Sequence, residues 1–245
     1  MARATAPGTV VERLAQHLFD GLYGQPLAAE MIGWLAGSPR FRAFAEAHRD
    51  KIRKKLRSAS ESEALRDVRA ELQAAHLLLA DRRIELAFEA YGSGKRGPDF
   101  TVNFRGERPF NLEVTRLRRG PEAGFEGSLL TKLRQLPPSA PNGVLVAIDG
   151  DSAEALDVAG AVRTLRAQAD SKDDAFFVQR GLAGTRGFYE RLLRLGAVLA
   201  WCEGAAGDGR AALWTNRSAR IALPARATRA SLLCLRPESQ PARPA

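Results

Sequence analysis

A chain of 245 residues, 45% hydrophobic and 27% charged, is long enough for one or two domains with a buried core. Its net charge of +9 at pH 7 favours polyanionic partners such as nucleic acid, although a general bias toward Arg on surfaces gives the same excess. Two cysteines exclude a disulfide framework, and no apolar run reaches the roughly 18 residues of a membrane span. Without a signal-peptide pattern, the chain is predicted to be cytoplasmic.

The first part of the chain is predicted to be helical. Apolar residues recur every three or four positions from Val11 to Leu22, which is the period of a helix with one buried face. The triplets GQP and GSP divide residues 9–57 into about three helices. These helices could recognise a target, form a dimer or only brace the rest of the protein.

Positive charge is concentrated in two parts of the chain. Residues 40–57 carry eight Lys or Arg residues against two acids, and the part after Glu203 carries seven Arg residues against two acids. Such clusters are typical of surfaces that contact nucleic-acid phosphates. A solvated helix face has the same pattern, so this alternative stays open.

A further helix is predicted to begin near Ser60 or Ser62, because serine side chains cap helix starts. Val68 and Leu72 belong to an apolar stripe that continues along this helix. Glu71 lies at the edge of the stripe. It is either an ordinary exposed glutamate or an acid directed at a neighbouring site.

Beyond this helix the apolar period changes from about four residues to two, which indicates strands. Three strands are predicted over residues 83–90, 99–104 and 110–115, with a short hairpin turn between the second and third. A helix over 127–136 and a buried strand over 143–149 follow.

The rest of the chain alternates between helices and strands. Helices are predicted over 153–169 and 185–194, and strands over 196–202 and 211–215. An α/β fold follows, in which helices cover a mixed sheet. The predicted organisation has three parts: a helical segment over 1–59, an α/β domain over 60–235 and a flexible tail over 236–245.

Two acids on the second and third predicted strands are candidates for chemistry. Asp99 and Glu113 lie on the polar faces of these strands, about equally far from the turn at Gly106. Antiparallel pairing through the turn would bring them together. Two adjacent carboxylates repel each other, and a divalent cation such as Mg²⁺ or Mn²⁺ relieves that repulsion by binding both. The alternative is a hairpin with a merely polar exposed face.

Three short motifs occur in order along residues 61–149: Glu71 on a helix, PDF at 98–100 and LEVT at 112–115. A helix and an apolar strand follow them. This order resembles the PD-(D/E)XK nuclease superfamily over a little more than a third of the chain. The resemblance implies a restriction-endonuclease-like core, in which elements ordered αβββαβ form a mixed sheet flanked by helices.

The resemblance also implies roles for individual residues. Asp99, Glu113 and the backbone carbonyl of Val114 would bind the metal, and Glu71 would be an additional acid on the helix. The chemistry implied is metal-dependent hydrolysis of phosphodiester bonds in nucleic acid, with DNA favoured over RNA.

The chain departs from the family pattern at Thr115, where the family usually has Lys. That Lys is thought to orient the attacking water and to offset charge that develops at phosphorus, whereas Thr supplies no positive charge. Lys132 on the following helix is the candidate replacement, with Gln135 one turn away. Lys95 could approach only if its loop folds inward.

Three hypotheses therefore remain open from the sequence. The chain is a DNA endonuclease-like hydrolase, an inactive nuclease-like domain that binds nucleic acid or protein, or a structural protein whose charge is compositional. A homodimer or another protein partner is compatible with each. A Lys132 amine directed at Asp99 and Glu113 favours the hydrolase, and one directed at solvent favours the inactive domain.

Overall fold

A six-stranded mixed sheet with flanking helices confirms the α/β class predicted from the sequence. The computed structural model describes residues 9–20, 26–59, 61–90, 97–117, 124–148, 157–202 and 209–236. The chain divides into two compact units, Met1–Ala80 and Asp81–Ala245, whereas the sequence placed the division at residue 59. Apart from Arg236, the predicted tail lies outside the described residues. No described helix has the length and apolar character needed to cross a bilayer.

The described part of the first unit is helical throughout. Its helices are α1 (Val10–Phe19), α2 (Pro26–Gly37), α3 (Pro39–Ala47), α4 (Arg49–Ser58) and α5 (Ser62–Leu78). The prediction of about three helices before residue 57 missed the break between α3 and α4. That break falls at His48, which ends one helix and starts the next. No Gly or Pro marks this position in the sequence, so the pattern gave no signal for it.

Aromatic side chains pack at the centre of the first unit. Phe41 is fully buried and meets the ring of His76 edge-on, with ring centres 5.2 Å apart. Trp34 stacks on this histidine at 5.5 Å and also contacts Phe41 edge-on at 6.0 Å. Because burial disfavours the charged imidazolium, the pKa of His76 is lowered. Trp34 and His76 are therefore packing residues.

The start of α5 is confirmed near Ser62, but its predicted serine cap is wrong. Glu61 occupies the position before the first helical residue, and no side chain caps the helix there. Ser62 is already inside the helix. In contrast, Thr9 and Glu12 at the start of α1 form a reciprocal capping box.

Several of the Lys and Arg side chains in residues 40–57 form hydrogen bonds or ion pairs within the first unit. Arg40 and Arg42 donate to backbone carbonyls of Leu79 and Leu35. The acids paired with this segment are Glu46 with Arg49, Asp20 with Arg53, and Glu71 with Lys55. Lys54 and Arg57 are exposed and make no ion pair with described residues. At least three of the eight positive charges in this segment are therefore neutralised by acids.

The sheet lies in the second unit. Its strands are β1 (Ile84–Phe88), β2 (Phe100–Phe104), β3 (Phe110–Leu117), β4 (Asn142–Ile148), β5 (Leu195–Cys202) and β6 (Arg210–Thr215), arranged side by side in that order. Strands β1, β2 and β3 are antiparallel, β3, β4 and β5 are parallel, and β6 is antiparallel to β5. All six predicted strands are confirmed.

Helices connect and cover the parallel strands, as parallel pairing requires. They are α6 (Phe125–Leu133), α7 (Val158–Asp170), α8 (Asp174–Gln179), α9 (Gly184–Leu192) and α10 (Ala225–Cys234). One face of the sheet packs its apolar residues, including Val144 and Val146, against α6 to α9. Phe177 and Phe188 stack inside this layer with ring centres 4.8 Å apart. The sequence did not predict α8, which has only six residues, or the Arg-rich α10.

Asn142 fixes the amino ends of the parallel strands. Its side chain is fully buried, and its amide nitrogen lies 2.8 Å from the carbonyls of Pro137 and Ala140 and 3.0 Å from that of Arg194. Its side-chain oxygen accepts from the amide of Asn111 on β3 at 3.1 Å. One side chain therefore joins β3, the loop before β4 and the residue that precedes β5.

Replacement of Asn142 by Ala is expected to lower the free energy of unfolding by roughly 2–4 kcal/mol, because buried carbonyls lose their donor. Urea denaturation followed by circular dichroism measures this loss. Asn103→Ala, at a half-buried β2 position, is the matched control and should stay within about 0.5 kcal/mol of the original protein. Equal losses in the two variants would contradict the role given to Asn142.

Candidate active site

A tight turn sets the register of β2 and β3. Gly106 has φ +81°, a left-handed conformation that glycine adopts without strain, and the Glu107 amide donates to the Phe104 carbonyl at 2.9 Å. The resulting ladder pairs Phe100 with Leu112. One further step in the same register brings Asp99 opposite Glu113. The hairpin predicted from the sequence is confirmed.

Asp99 is held at the point where β2 begins. Its Oδ2 accepts the backbone N–H of Val114 at 2.8 Å, so the carboxylate takes the place of a backbone partner at the end of the ladder. The N–H and C=O groups of a strand residue point to the same side. The Val114 carbonyl therefore also lies on the side of Asp99, as a shared metal site would require.

Glu113 is buried in the middle of β3, with 4% of its surface exposed. Lys132, in the last turn of α6, donates from Nζ to Glu113 Oε1 at 2.6 Å. The other carboxylate oxygen, Oε2, is buried and has no hydrogen-bond partner among the described residues. Helix α6 packs on β3, so the sheet and the helix each contribute one charge to this pair.

Electrostatics link Glu113 to both neighbours. Burial raises the pKa of Glu113 to about 7, and the negative charge of Asp99 acts in the same direction. The charge and hydrogen bond of Lys132 oppose this shift. The structure therefore brings three predicted site residues together: Asp99, Glu113 and Lys132.

The other predicted residues lie as follows. Thr115 is half-buried on the same strand face as Glu113, two residues further along β3. Its neighbour Arg116, which is not a predicted site residue, alternates to the opposite face and is buried, with 5% of its surface exposed. Gln135 follows α6 and is half-buried. Lys95 lies outside the described residues.

Glu71 belongs to the first unit. Its carboxylate forms an ion pair with Lys55 of α4, and both side chains are largely buried. No sequence pattern connects these two residues, because they lie on different helices. A role for Glu71 beside Asp99 and Glu113 stays a prediction.

A row of polar side chains on the same sheet face continues to Asn142 on β4, whose part in it was missed by sequence reasoning. Thr101, Asn111 and Asn142 occupy neighbouring positions on β2, β3 and β4. The Asn111 amide donates to Asn142 at 3.1 Å, while the contact from Thr101 to Asn111 is longer, at 3.4 Å. The alternation of Asn111 with apolar residues was the available signal. Its meaning depended on Asn142, a residue distant in the sequence.

The oxygen groups present suit a hard divalent cation. Among the described residues, no group of three or more His, Cys, Asp or Glu side chains is arranged to hold a metal. Mg²⁺ needs fewer protein ligands, because it is usually bound by one or two carboxylates together with water and substrate phosphates. The unpartnered Oε2 of Glu113 and the Asp99 carboxylate fit this requirement.

Comparison with known proteins does not assign this site. No protein-family model, curated protein or solved structure matches the chain. The resemblance to PD-(D/E)XK nucleases rests on the motifs and their order alone.

The raised pKa of Glu113 predicts a pH-dependent stability. Between the ordinary pKa of 4.5 and about 7, the folded protein keeps a proton that the unfolded chain has released. Stability from this group is complete below pH 4.5 and is lost as the pH rises through 7. As the pH rises over this range, the free energy of unfolding of the original protein should fall by at most on the order of 3 kcal/mol relative to that of Glu113→Gln, which cannot ionise at this position. Urea denaturation of both proteins across this pH range measures the difference, and a constant difference would contradict the shift.

Proposed function

We propose that the second unit is a metal-dependent nuclease domain that hydrolyses phosphodiester bonds in nucleic acid, with DNA as the preferred substrate. The observation that carries this proposal is the contact of 2.6 Å between Lys132 Nζ and Glu113 Oε1, beside Asp99. This contact places Lys132 next to the two acids. The PD-(D/E)XK family usually has its lysine on the strand, at the position that Thr115 occupies in this chain. The net charge of +9 supports a polyanionic substrate.

The topology also supports the proposal. Strands β1, β2 and β3 are consecutive and antiparallel, α6 follows, and β4 joins β3 in parallel. With α5 preceding them in the chain, these elements have the order αβββαβ that the resemblance implies. Asp99 and Glu113 lie at the positions of the two motif acids.

Each residue has a distinct proposed role. Asp99, Glu113 and the Val114 carbonyl would hold the ion. When bound, Mg²⁺ or Mn²⁺ would polarise the phosphate and lower the pKa of a water molecule. Lys132 would place positive charge where negative charge develops at phosphorus. The Thr115 hydroxyl, on the same strand face, would orient the attacking water by a hydrogen bond.

One observation favours an inactive domain as the alternative. The Lys132 ammonium already neutralises Glu113, and a buried pair of this kind can be purely structural. Such a domain would bind nucleic acid or a protein without cleaving a phosphodiester. The two proposals differ in catalysis and share the same folded site, so an activity assay separates them.

The two acids are expected to be essential for cleavage. With plasmid DNA and Mg²⁺ or Mn²⁺, Asp99→Asn and Glu113→Gln should each lower the cleavage rate at least about 100-fold, because each removes a charged metal ligand. Gel electrophoresis of nicked and linear products measures the rate. Glu85→Gln, at an exposed acid on β1, is the matched control and should leave the rate unchanged.

Two results would reject the proposed hydrolase. Cleavage that persists in both variants would exclude this site. Absence of cleavage by the original protein on DNA and on RNA would favour the inactive domain.

The position of the catalytic charge is tested by moving the lysine. Lys132→Met should lower the cleavage rate about 100- to 1000-fold, the usual cost of removing one group that stabilises the transition state. Adding Thr115→Lys should restore part of the rate, because this is where the family usually has its lysine. Lys132→Arg, which keeps the charge, should retain more activity than Lys132→Met. An unchanged rate in Lys132→Met would remove this residue from the mechanism.

A further inference from the structure

Arginines from distant parts of the second unit come together near the end of α6. Arg134 follows α6 directly, and its Nη1 donates to the backbone carbonyl of Arg180 at 3.4 Å. Arg191, near the end of α9, donates from Nη1 to the Arg134 carbonyl at 3.2 Å. Three guanidinium-bearing residues are thus tied together through backbone oxygens.

Two further arginines extend this group. Arg194, just before β5, donates from Nη1 to the Leu136 carbonyl at 3.3 Å. The backbone N–H of Arg220 donates to the Leu193 carbonyl at 2.8 Å. Burial lowers the pKa of Arg194, and the positive charges of Arg191 and Arg220 lower it further. These charges therefore lie close enough to repel one another.

This group, which we call the arginine rim (Arg134, Arg180, Arg191, Arg194 and Arg220), has little neutralising charge. None of its members forms an ion pair in the part of the chain that the structure describes. The guanidinium hydrogen bonds of the first four members go to neutral carbonyls. The Arg194 Nε is buried and has no hydrogen-bond partner there. Glu190 is near Arg194 but pairs with Arg186 at 3.0 Å.

Part of the rim borders a groove of about 1070 Å³ between α6 and α8. Arg134 and Arg180 line it, and the Arg180 guanidinium is held 3.8 Å above the ring of Phe176. Further polar side chains in its lining are Glu126, Ser128, Thr131, Thr164 and Gln179. The groove thus combines fixed positive charge with neutral hydrogen-bond donors and one acid.

We propose that the arginine rim binds the phosphate backbone of nucleic acid. Guanidinium groups match phosphate oxygens with paired hydrogen bonds, and several uncompensated charges in one region suit a repeating polyanion. Lys132 and Arg134 lie two residues apart at the end of α6, and positions two apart on a helix point in different directions, so the rim and the candidate active site lie on different sides of this helix end. As a surface for substrate, the rim rests on the proposed nuclease function. Contacts to the phosphate backbone hold a nucleic acid without recognising its base sequence.

The salt dependence of DNA binding tests the rim. Fluorescence anisotropy with a labelled duplex, in EDTA to prevent cleavage, gives the binding constant over a range of NaCl concentrations. Replacing Arg134, Arg180 and Arg220 together by Gln should make the plot of log binding constant against log salt shallower by about 0.9 for each phosphate that is no longer neutralised. The expected total change in slope is about 2 to 3.

A matched triple variant controls for net charge. Replacing Arg82, Arg108 and Arg229 by Gln removes the same charge from exposed positions outside the rim and should leave the slope unchanged. Replacing the three rim residues by Lys keeps the charge and should preserve most of the slope. Equal slopes in the two Gln variants would overturn the proposal. A Lys variant whose slope falls as far as that of the Gln variant would overturn it too, because damage to the fold would then explain the change.

A parallel measurement replaces the duplex by phosphatidylserine vesicles. Binding to vesicles but not to DNA would overturn the proposal in favour of an anionic membrane surface. The EDTA assay also separates this inference from the hydrolase proposal. Rim-dependent binding without cleavage in Mg²⁺ or Mn²⁺ would reject the hydrolase and keep the rim, whereas cleavage with equal slopes in both Gln variants would reject the rim alone.

Discussion

The buried ion pair between Lys132 and Glu113 is the constraint on which the candidate site depends. A carboxylate placed inside a sheet, with Asp99 beside it, is strongly disfavoured unless a positive charge compensates it. Lys132 can supply that charge because α6 connects β3 to β4 and packs back on β3. The connection that makes β3 and β4 parallel thus also carries the lysine to the acid, so topology and electrostatics are linked at this point.

The same pair has two consequences for function. It places a positive charge next to two acids, which the proposed phosphodiester hydrolysis would use, and it neutralises one of the acids, which a structural pair also does. The unpartnered Oε2 of Glu113 and the Asp99 carboxylate give the site remaining oxygen groups that Lys132 does not occupy. The arginine rim begins two residues beyond Lys132.

Sequence patterns were most informative where the interactions are local. Alternation and the Gly106 turn were enough to predict the hairpin and to place Asp99 opposite Glu113, because strand geometry and a tight turn leave one register. Local signals failed at His48, where no Gly or Pro marks the break between α3 and α4. They also failed at α5, where a serine was expected to cap the helix and Glu61 stands at that position.

By itself, the sequence determined the α/β class, the six strands and the acidic pair on β2 and β3, since each depends on periodicity or on neighbours within one hairpin. Only the tertiary structure decided that Lys132 reaches Glu113, that Glu71 pairs with Lys55, and that arginines distant in the sequence lie close together beyond the end of α6. These contacts join residues that packing brings together from separate elements. Such side-chain contacts depend on how separate helices pack on the sheet and on each other. The periodicity of a short sequence segment does not determine that packing.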